Sequence, residues 1–193
     1  MVQTPSTMLS LGTSLPDFSL SNVIDGQTVT PEEFAASPAL LVMFICNHCP
    51  FVQHVLPELG RLARDYQARG VGVVAINSND TDAYPQDGPQ PMRQLAFSQG
   101  WGFPYLLDEE QGVAKAFRAA CTPDFYLFDA DRRLVYRGQL DDSRPGNGVP
   151  VTGKDLRAAL DALLAGEPVS DEQQPSVGCN IKWKPGNEPE YFG

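Results

Sequence analysis

The sequence predicts an α/β fold, with a central mixed β-sheet flanked by helices, an N-terminal extension and an irregular C-terminal tail. Three observations carry this. Ala39 to Ile45 is an unbroken apolar run of strand length, Phe51 to Tyr66 places its apolar residues at helical spacing, and Val71 to Ile76 is a second apolar run. Strand, helix and strand within about forty residues make a βαβ unit, whose two strands are parallel and joined by a right-handed crossover.

The elements follow in order. Residues 1–14 are polar and without period, so 1–15 reads as an arm that is mobile or draped on the surface. Structure is expected to begin at Pro16, where Pro16-Asp17-Phe18-Ser19-Leu20 alternates like a short strand. After the Ala39–Ile45 strand, a helix carries Val52, Val55, Leu56, Leu59, Leu62, Ala63 and Tyr66 on one face, with Pro57 expected to kink it and Gly70 to close it. A polar loop, 77–90, precedes a helix opened by Pro91. Phe103 to Leu107 reads as a strand, and Asp108 as the cap of a short helix. Asp124–Phe128 and Leu134–Arg137 read as an antiparallel hairpin. Thr152 with Asp155 reads as a capping box for a last helix ending at Gly166. A domain over 16–166 and a tail over 167–193, packed on or near it, complete the organisation.

Composition excludes several classes. The 193 residues carry 14 Lys+Arg against 24 Asp+Glu, a formal net charge of −10, which speaks against a protein that binds nucleic acid by neutralising phosphates. With 42% hydrophobic residues the chain is an ordinary globular one, and a domain of this length buries on the order of 70% of its unfolded surface without disulfide staples. No run approaches the ~18 apolar residues of a membrane span, and no signal peptide is recognisable, so a cytoplasmic location is expected. In a reducing compartment, four cysteines in a chain of this size point to catalysis or metal binding rather than a disulfide framework.

Cys46-Asn47-His48-Cys49 stands where the first buried strand meets the amphipathic helix. Unpaired N–H groups and the positive end of the helix dipole favour thiolate over thiol there, and in such motifs a cysteine pKa can fall to about 3.5–7.5 from a free value near 8.5. Cys46 is therefore expected to be accessible and substantially ionised at neutral pH. The spacing puts the two sulfur-bearing side chains roughly 5–6 Å apart at Cβ, close enough to close a disulfide. Half of a zinc site has the same spacing, but Cys121 and Cys179 stand singly and supply no second pair.

With Cys46-Asn47-His48-Cys49 after a buried strand, and Cys121-Thr122-Pro123 at the start of a hairpin strand, the chain resembles the thioredoxin-fold redoxins, specifically the peroxiredoxin-like and TlpA-like (AhpC/TSA-related) bacterial subgroup, over roughly Pro16 to Gly166. The segment from Pro175 to Pro189 is similar to the tail of an uncharacterised redoxin subgroup. The resemblance implies a cis peptide bond before Pro123, which would lie with Thr122 against the cysteine pair and bind substrate. It also has departures: Ile45 replaces the tryptophan usual before the first cysteine, Ala39–Ile45 contains no buried carboxylate, and Met43 stands where peroxiredoxins place a threonine. The proton acceptor is thus unassigned.

The expected activity is thiol–disulfide exchange: Cys46 attacks a substrate disulfide, Cys49 resolves the mixed disulfide, and His48 favours the Cys46 thiolate. Its partners would be a disulfide-containing protein or small molecule and a reductase or thiol electron donor, with no nucleic acid, membrane, cofactor or metal. Cys121 is an auxiliary thiol candidate or a buried hydrophobe, Cys179 reads as structural packing, and His54 as a surface residue. The acidic stretches Asn79–Asp87 and Asp141–Ser143 read as solvated loops near the rim of the site. Two alternatives remain: a peroxiredoxin-like, antioxidant peroxidase, and a metal-binding or delivery module using Cys46, Cys49 and His48, His54 or Cys121.

Overall fold

A computed structural model describes residues 3–192. Its strands are β1 (Gln3–Pro5), β2 (Leu20–Asn22), β3 (Thr28–Val29), β4 (Leu40–Phe44), β5 (Gly72–Asn77), β6 (Tyr105–Leu107), β7 (Cys121–Thr122), β8 (Asp124–Phe128), β9 (Leu134–Gly138) and β10 (Val177–Asn180). Its α-helices are α1 (Pro50–Gln67), α2 (Pro89–Gln99), α3 (Gly112–Ala116) and α4 (Lys154–Leu164). Seven strands form one mixed sheet in the order β3-β2-β6-β5-β4-β8-β9, with β4–β5 and β5–β6 parallel and the other pairs antiparallel.

The apolar run becomes the central strand because both its faces are covered. Leu41, Met43 and Ile45 pack with Leu59, Leu62 and Ala96 from α1 and α2 and with Leu156 from α4. Leu40, Val42 and Phe44 pack on the opposite face with Val113, Ala114 and Phe117 around α3. This alternation follows from the two-residue period of a strand, and each fully buried Leu or Phe contributes on the order of 2 kcal/mol. The middle of α1 is further tied to the first turn of α4 by Glu58, only 4% exposed, which accepts hydrogen bonds from Arg61 and Arg157.

Several expectations are corrected. The first strand of the domain is Leu20–Asn22 rather than Pro16–Leu20, because residues 16–19 pair with no strand. Helix α1 accommodates Pro57 inside one continuous element, as a kinking proline allows. Helix α4 is not opened by a Thr152–Asp155 box: Gly153 is its N-cap, in a left-handed conformation, and Asp141 Oδ2 accepts the N–H groups of Thr152 and Gly153 at 2.7 and 2.6 Å. Asp108 does serve the first turn of α3, accepting from Val113 and Ala114.

Arm and tail are tied together. Strand β10 pairs antiparallel with β1 on one side and with β7 on the other, making a second, three-stranded sheet. Gly178 is required at this contact, since a Cβ there would overlap the Thr122 carbonyl. Beyond β10, Ile181 and Trp183 are buried in the core face shared with α3. Lys182-Trp183-Lys184 is therefore an anchoring segment whose indole lies inside.

Candidate active site

The end of β4 delivers Cys46, and the start of α1 receives Cys49. Cys49 is the N-cap residue of α1, with φ −70° and ψ 122°, and Pro50 occupies the first helical position, where no backbone donor is needed. Opposite them runs β7, and the Thr122–Pro123 bond is cis. Thr122 Oγ1 lies 3.4 Å from Cys46 Sγ, and the Thr122 carbonyl oxygen 3.3 Å from Cys49 Sγ. A third sulfur completes the cluster: Cys179 Sγ, carried in by β10, is 2.8 Å from Cys49 Sγ.

Charge in this cluster settles on the middle sulfur. The Cys179 and Cys46 thiols hydrogen-bond to Cys49 and hold it well below the usual thiol range, against the opposing effect of burial. The Val52 N–H of the first turn falls short of a capping hydrogen bond yet is close enough to favour the charge. Cys46 is pushed up by its contact with Cys49, by burial and by the negative charge of Asp87. Cys179 is likewise pushed up, first by its contact with Cys49 and then by burial. The expectation of an accessible, ionised Cys46 is thus corrected: the residue is 1% exposed and keeps its proton, while Cys49 carries the thiolate. The reason is first the pair of sulfur contacts to Cys49, from Cys179 and Cys46, to which the helix starting one residue after Cys49 adds the smaller effect of the Val52 N–H.

Asp87 fills the place left open by the absence of a carboxylate in β4. It is fully buried, and its Oδ1 accepts the backbone N–H groups of Asn47 and His48 at 2.8 and 3.1 Å. Its Oδ2 faces His48 Nδ1 at 2.5 Å and accepts from Asn79 Nδ2 at 2.8 Å. The His48 ring stacks on Tyr84, with centroids 5.2 Å apart and planes 7° apart, and its side chain remains 20% exposed. Asn47 is held on its other side by the Tyr105 hydroxyl, which donates to Asn47 Oδ1. The stretch read as solvated surface is exposed at Asp82, Ala83, Pro85 and Gln86 but buries Asn79, Asp80 and Asp87, and through Asp87 it clamps the motif. Asp141 is buried too, but its bonds serve α4.

The remaining predicted residues lie elsewhere. Cys121 Sγ points toward the carbonyl oxygens of Pro123 and Ser176, at 3.9 and 4.0 Å, and burial pushes its thiol up. His54 is half-buried, not a surface residue, with Nε2 2.7 Å from Ser143 Oγ. For a metal, the geometry gathers Cys46, His48 and Asp87, with ligand atoms within 4.8 Å of one another. His54 and Cys121 are not part of that group. Sequence reasoning missed Asp87 and underrated Cys179, because neither stands at a diagnostic spacing from the motif.

Comparison with known proteins places this geometry among relatives. The family model described as Redoxin matches residues 10–157. An uncharacterized conserved protein from Geobacillus kaustophilus is 60% identical, covering 96% of this chain and 98% of its own, with a TM-score of 0.94. A hypothetical protein from Sinorhizobium meliloti 1021 is 54% identical over 95% of this chain and 100% of its own, with a TM-score of 0.93. A putative thiol:disulfide interchange protein DsbE from Chlorobium tepidum shares the fold at 18% identity, covering 81% and 99% of the two chains, with a TM-score of 0.63. Peroxidoxin BcpB from Mycobacterium tuberculosis shares it at 14% identity, covering 81% and 96%, with a TM-score of 0.59. A search of curated proteins returned no match.

Proposed function

This chain belongs to the Redoxin family, has a thioredoxin-like fold, and we propose that it is a thiol–disulfide oxidoreductase cycling Cys46 and Cys49 between dithiol and disulfide. One observation carries the reading: the two motif sulfurs lie together between β4 and the start of α1 against one residue, Cys46 Sγ 3.4 Å from Thr122 Oγ1 and Cys49 Sγ 3.3 Å from the Thr122 carbonyl oxygen, beside the cis Thr122–Pro123 bond. Passing the Cys46 proton to the Cys49 thiolate makes Cys46 the nucleophile. It attacks one sulfur of a substrate disulfide, forming a mixed disulfide and expelling a thiolate. Cys49 then yields its proton to that leaving thiolate and attacks Cys46, releasing the second substrate sulfur as a thiolate, which takes a proton from water, and leaving a Cys46–Cys49 disulfide. Two electrons pass from enzyme to substrate, and relative potentials decide whether the cycle runs in this direction or the reverse.

Cys46 is assigned the attack because it adjoins the half-buried Asn47 and His48, whereas Cys49 is walled in by Thr122 and Cys179. At 1% exposure Cys46 meets a substrate only after the site opens. His48 and Asp87 position the motif, and Thr122 and Pro123 form the floor on which a substrate would lie. A reductase or thiol pool regenerates the dithiol, and the use of its cysteines as thiols fits a cytoplasmic setting. Among the described residues no helix is long and apolar enough to cross a membrane. Insulin reduction coupled to dithiothreitol tests the reading. Wild type should accelerate it, and Cys46→Ser should fall to the uncatalysed rate; retained turnover in that variant would reject Cys46 as the nucleophile.

A second reading, peroxide reduction, is favoured by the Thr122 hydroxyl 3.4 Å from Cys46 Sγ, a group able to orient a peroxide. It is the weaker reading because Met43 stands three residues before Cys46, where peroxiredoxins place a threonine. Stopped-flow oxidation by hydrogen peroxide separates the two. Oxidation no faster than that of a free thiol at the same pH excludes the peroxidase.

A further inference from the structure

We infer that Cys179 is a third redox-active sulfur, which takes the disulfide over from Cys46 by forming a Cys49–Cys179 bond inside the folded chain. The juxtaposition is built, not incidental. Strand β10 is laid antiparallel on β7 with Cys179 directly opposite Thr122, the residue whose hydroxyl and carbonyl oxygen touch Cys46 and Cys49. Gly178 lets the two backbones approach, β1 braces β10 from its other edge, and Ile181 and Trp183 anchor the chain just beyond. The result is a sulfur 2.8 Å from Cys49 in a place that solvent does not reach, with both residues no more than 2% exposed. Exchange between them needs no opening of the site, unlike any reaction with an external disulfide.

The inference rests on the proposed Cys46/Cys49 cycle and extends it. Once that cycle has produced the Cys46–Cys49 disulfide, Cys179 loses its proton and attacks Cys49 Sγ. The Cys49–Cys179 bond forms, the Cys46–Cys49 bond breaks, and Cys46 leaves as a thiolate that takes up the proton Cys179 gave up. No electron leaves the protein. The oxidising equivalent moves inward, Cys46 is free again as a thiol, and the tail becomes covalently tied to the start of α1.

The test is oxidation of the full chain by oxidised glutathione, followed by acid quenching and mass mapping of linked peptides. In wild type a Cys46–Cys49 link should form first and a Cys49–Cys179 link should grow at its expense. In Cys179→Ser the Cys46–Cys49 link should form and persist. Persistence of the Cys46–Cys49 link in wild type, with no Cys49–Cys179 link at any time point, overturns the inference while leaving the Cys46/Cys49 cycle standing. Failure of the cycle itself reads differently, as absence of any link to Cys46 at every time point in wild type.

Discussion

Asp87 and His48 are joined twice, by the His48 backbone N–H to Asp87 Oδ1 at 3.1 Å and by His48 Nδ1 to Asp87 Oδ2 at 2.5 Å. A carboxylate from the loop before α2 thus holds both residues that separate the two motif cysteines, since Asn47 N–H binds the same Oδ1. Its negative charge is also one of the causes that keep the proton on Cys46. The loop and the reactivity of the leading sulfur are coupled through this one side chain.

Asp87→Asn keeps the shape and removes the charge. The Cys46 alkylation rate, resolved by peptide mass, should then reach its plateau at lower pH than in wild type. Stability should fall by about 1–3 kcal/mol, the range for weakening buried hydrogen bonds to a charged group. An unmoved or alkaline-shifted profile would show that Asp87 does not act on Cys46.

The thiolate should be located by ultraviolet absorbance near 240 nm in paired variants. Because its neighbours donate to Cys49, Cys46→Ser should retain one thiolate at neutral pH and Cys49→Ser should lose it. The opposite outcome would return the charge to Cys46, as the motif alone suggests.

The pH dependence of stability should carry the mark of Asp124. This carboxyl is fully buried, and desolvation pushes it up to about 7, against the opposing hydrogen bonds of Tyr126, Ser6 and Ser176. An acid whose folded pKa lies above its unfolded value of about 3.9 keeps a proton in the native state that the unfolded chain has released. Its contribution is present at acid pH and is lost as pH rises between those two values, at up to about 1.4 kcal/mol per unit. Urea denaturation should show Asp124→Asn gaining on wild type across that window, whereas parallel profiles would contradict the burial argument.

Chelation should leave the activity alone. Cys46, His48 and Asp87 lie close enough to share an ion, but His48 Nδ1 is already engaged by Asp87 and the proposed chemistry needs only sulfur. Insulin reduction after dialysis against a chelator should match the untreated protein. Loss of activity restored by a divalent metal would favour the metal-binding alternative.

The fold was legible where the physics is local or periodic. The Ala39–Ile45 run, the stripe of α1 and the β8–β9 hairpin announce themselves because burial on one face or two leaves a period in the residues. The site was legible only as far as the motif and the Cys121-Thr122-Pro123 segment. Asp87 was hidden because a carboxylate in a loop of Pro, Asp and Gly looks like solvated surface, and only the tertiary path that returns this loop to the motif buries it. Cys179 was hidden for a similar reason: β10 is four residues long and owes its position to Gly178 and to the edge offered by β7. The location of the thiolate turned chiefly on the same sulfur, since the contact with Cys179 is the first cause that holds Cys49 low.

A redox titration of the wild-type chain against dithiothreitol buffers, with thiol counting and peptide mapping at each point, tests the central claim most directly. The account predicts a two-electron transition, tenfold in equilibrium constant for about 30 mV, that consumes the Cys46 and Cys49 thiols and links Cys49 to a neighbouring sulfur. Reduced and fully oxidised buffers that leave the same thiols titratable, with no Cys49-linked peptide at any potential, would contradict it.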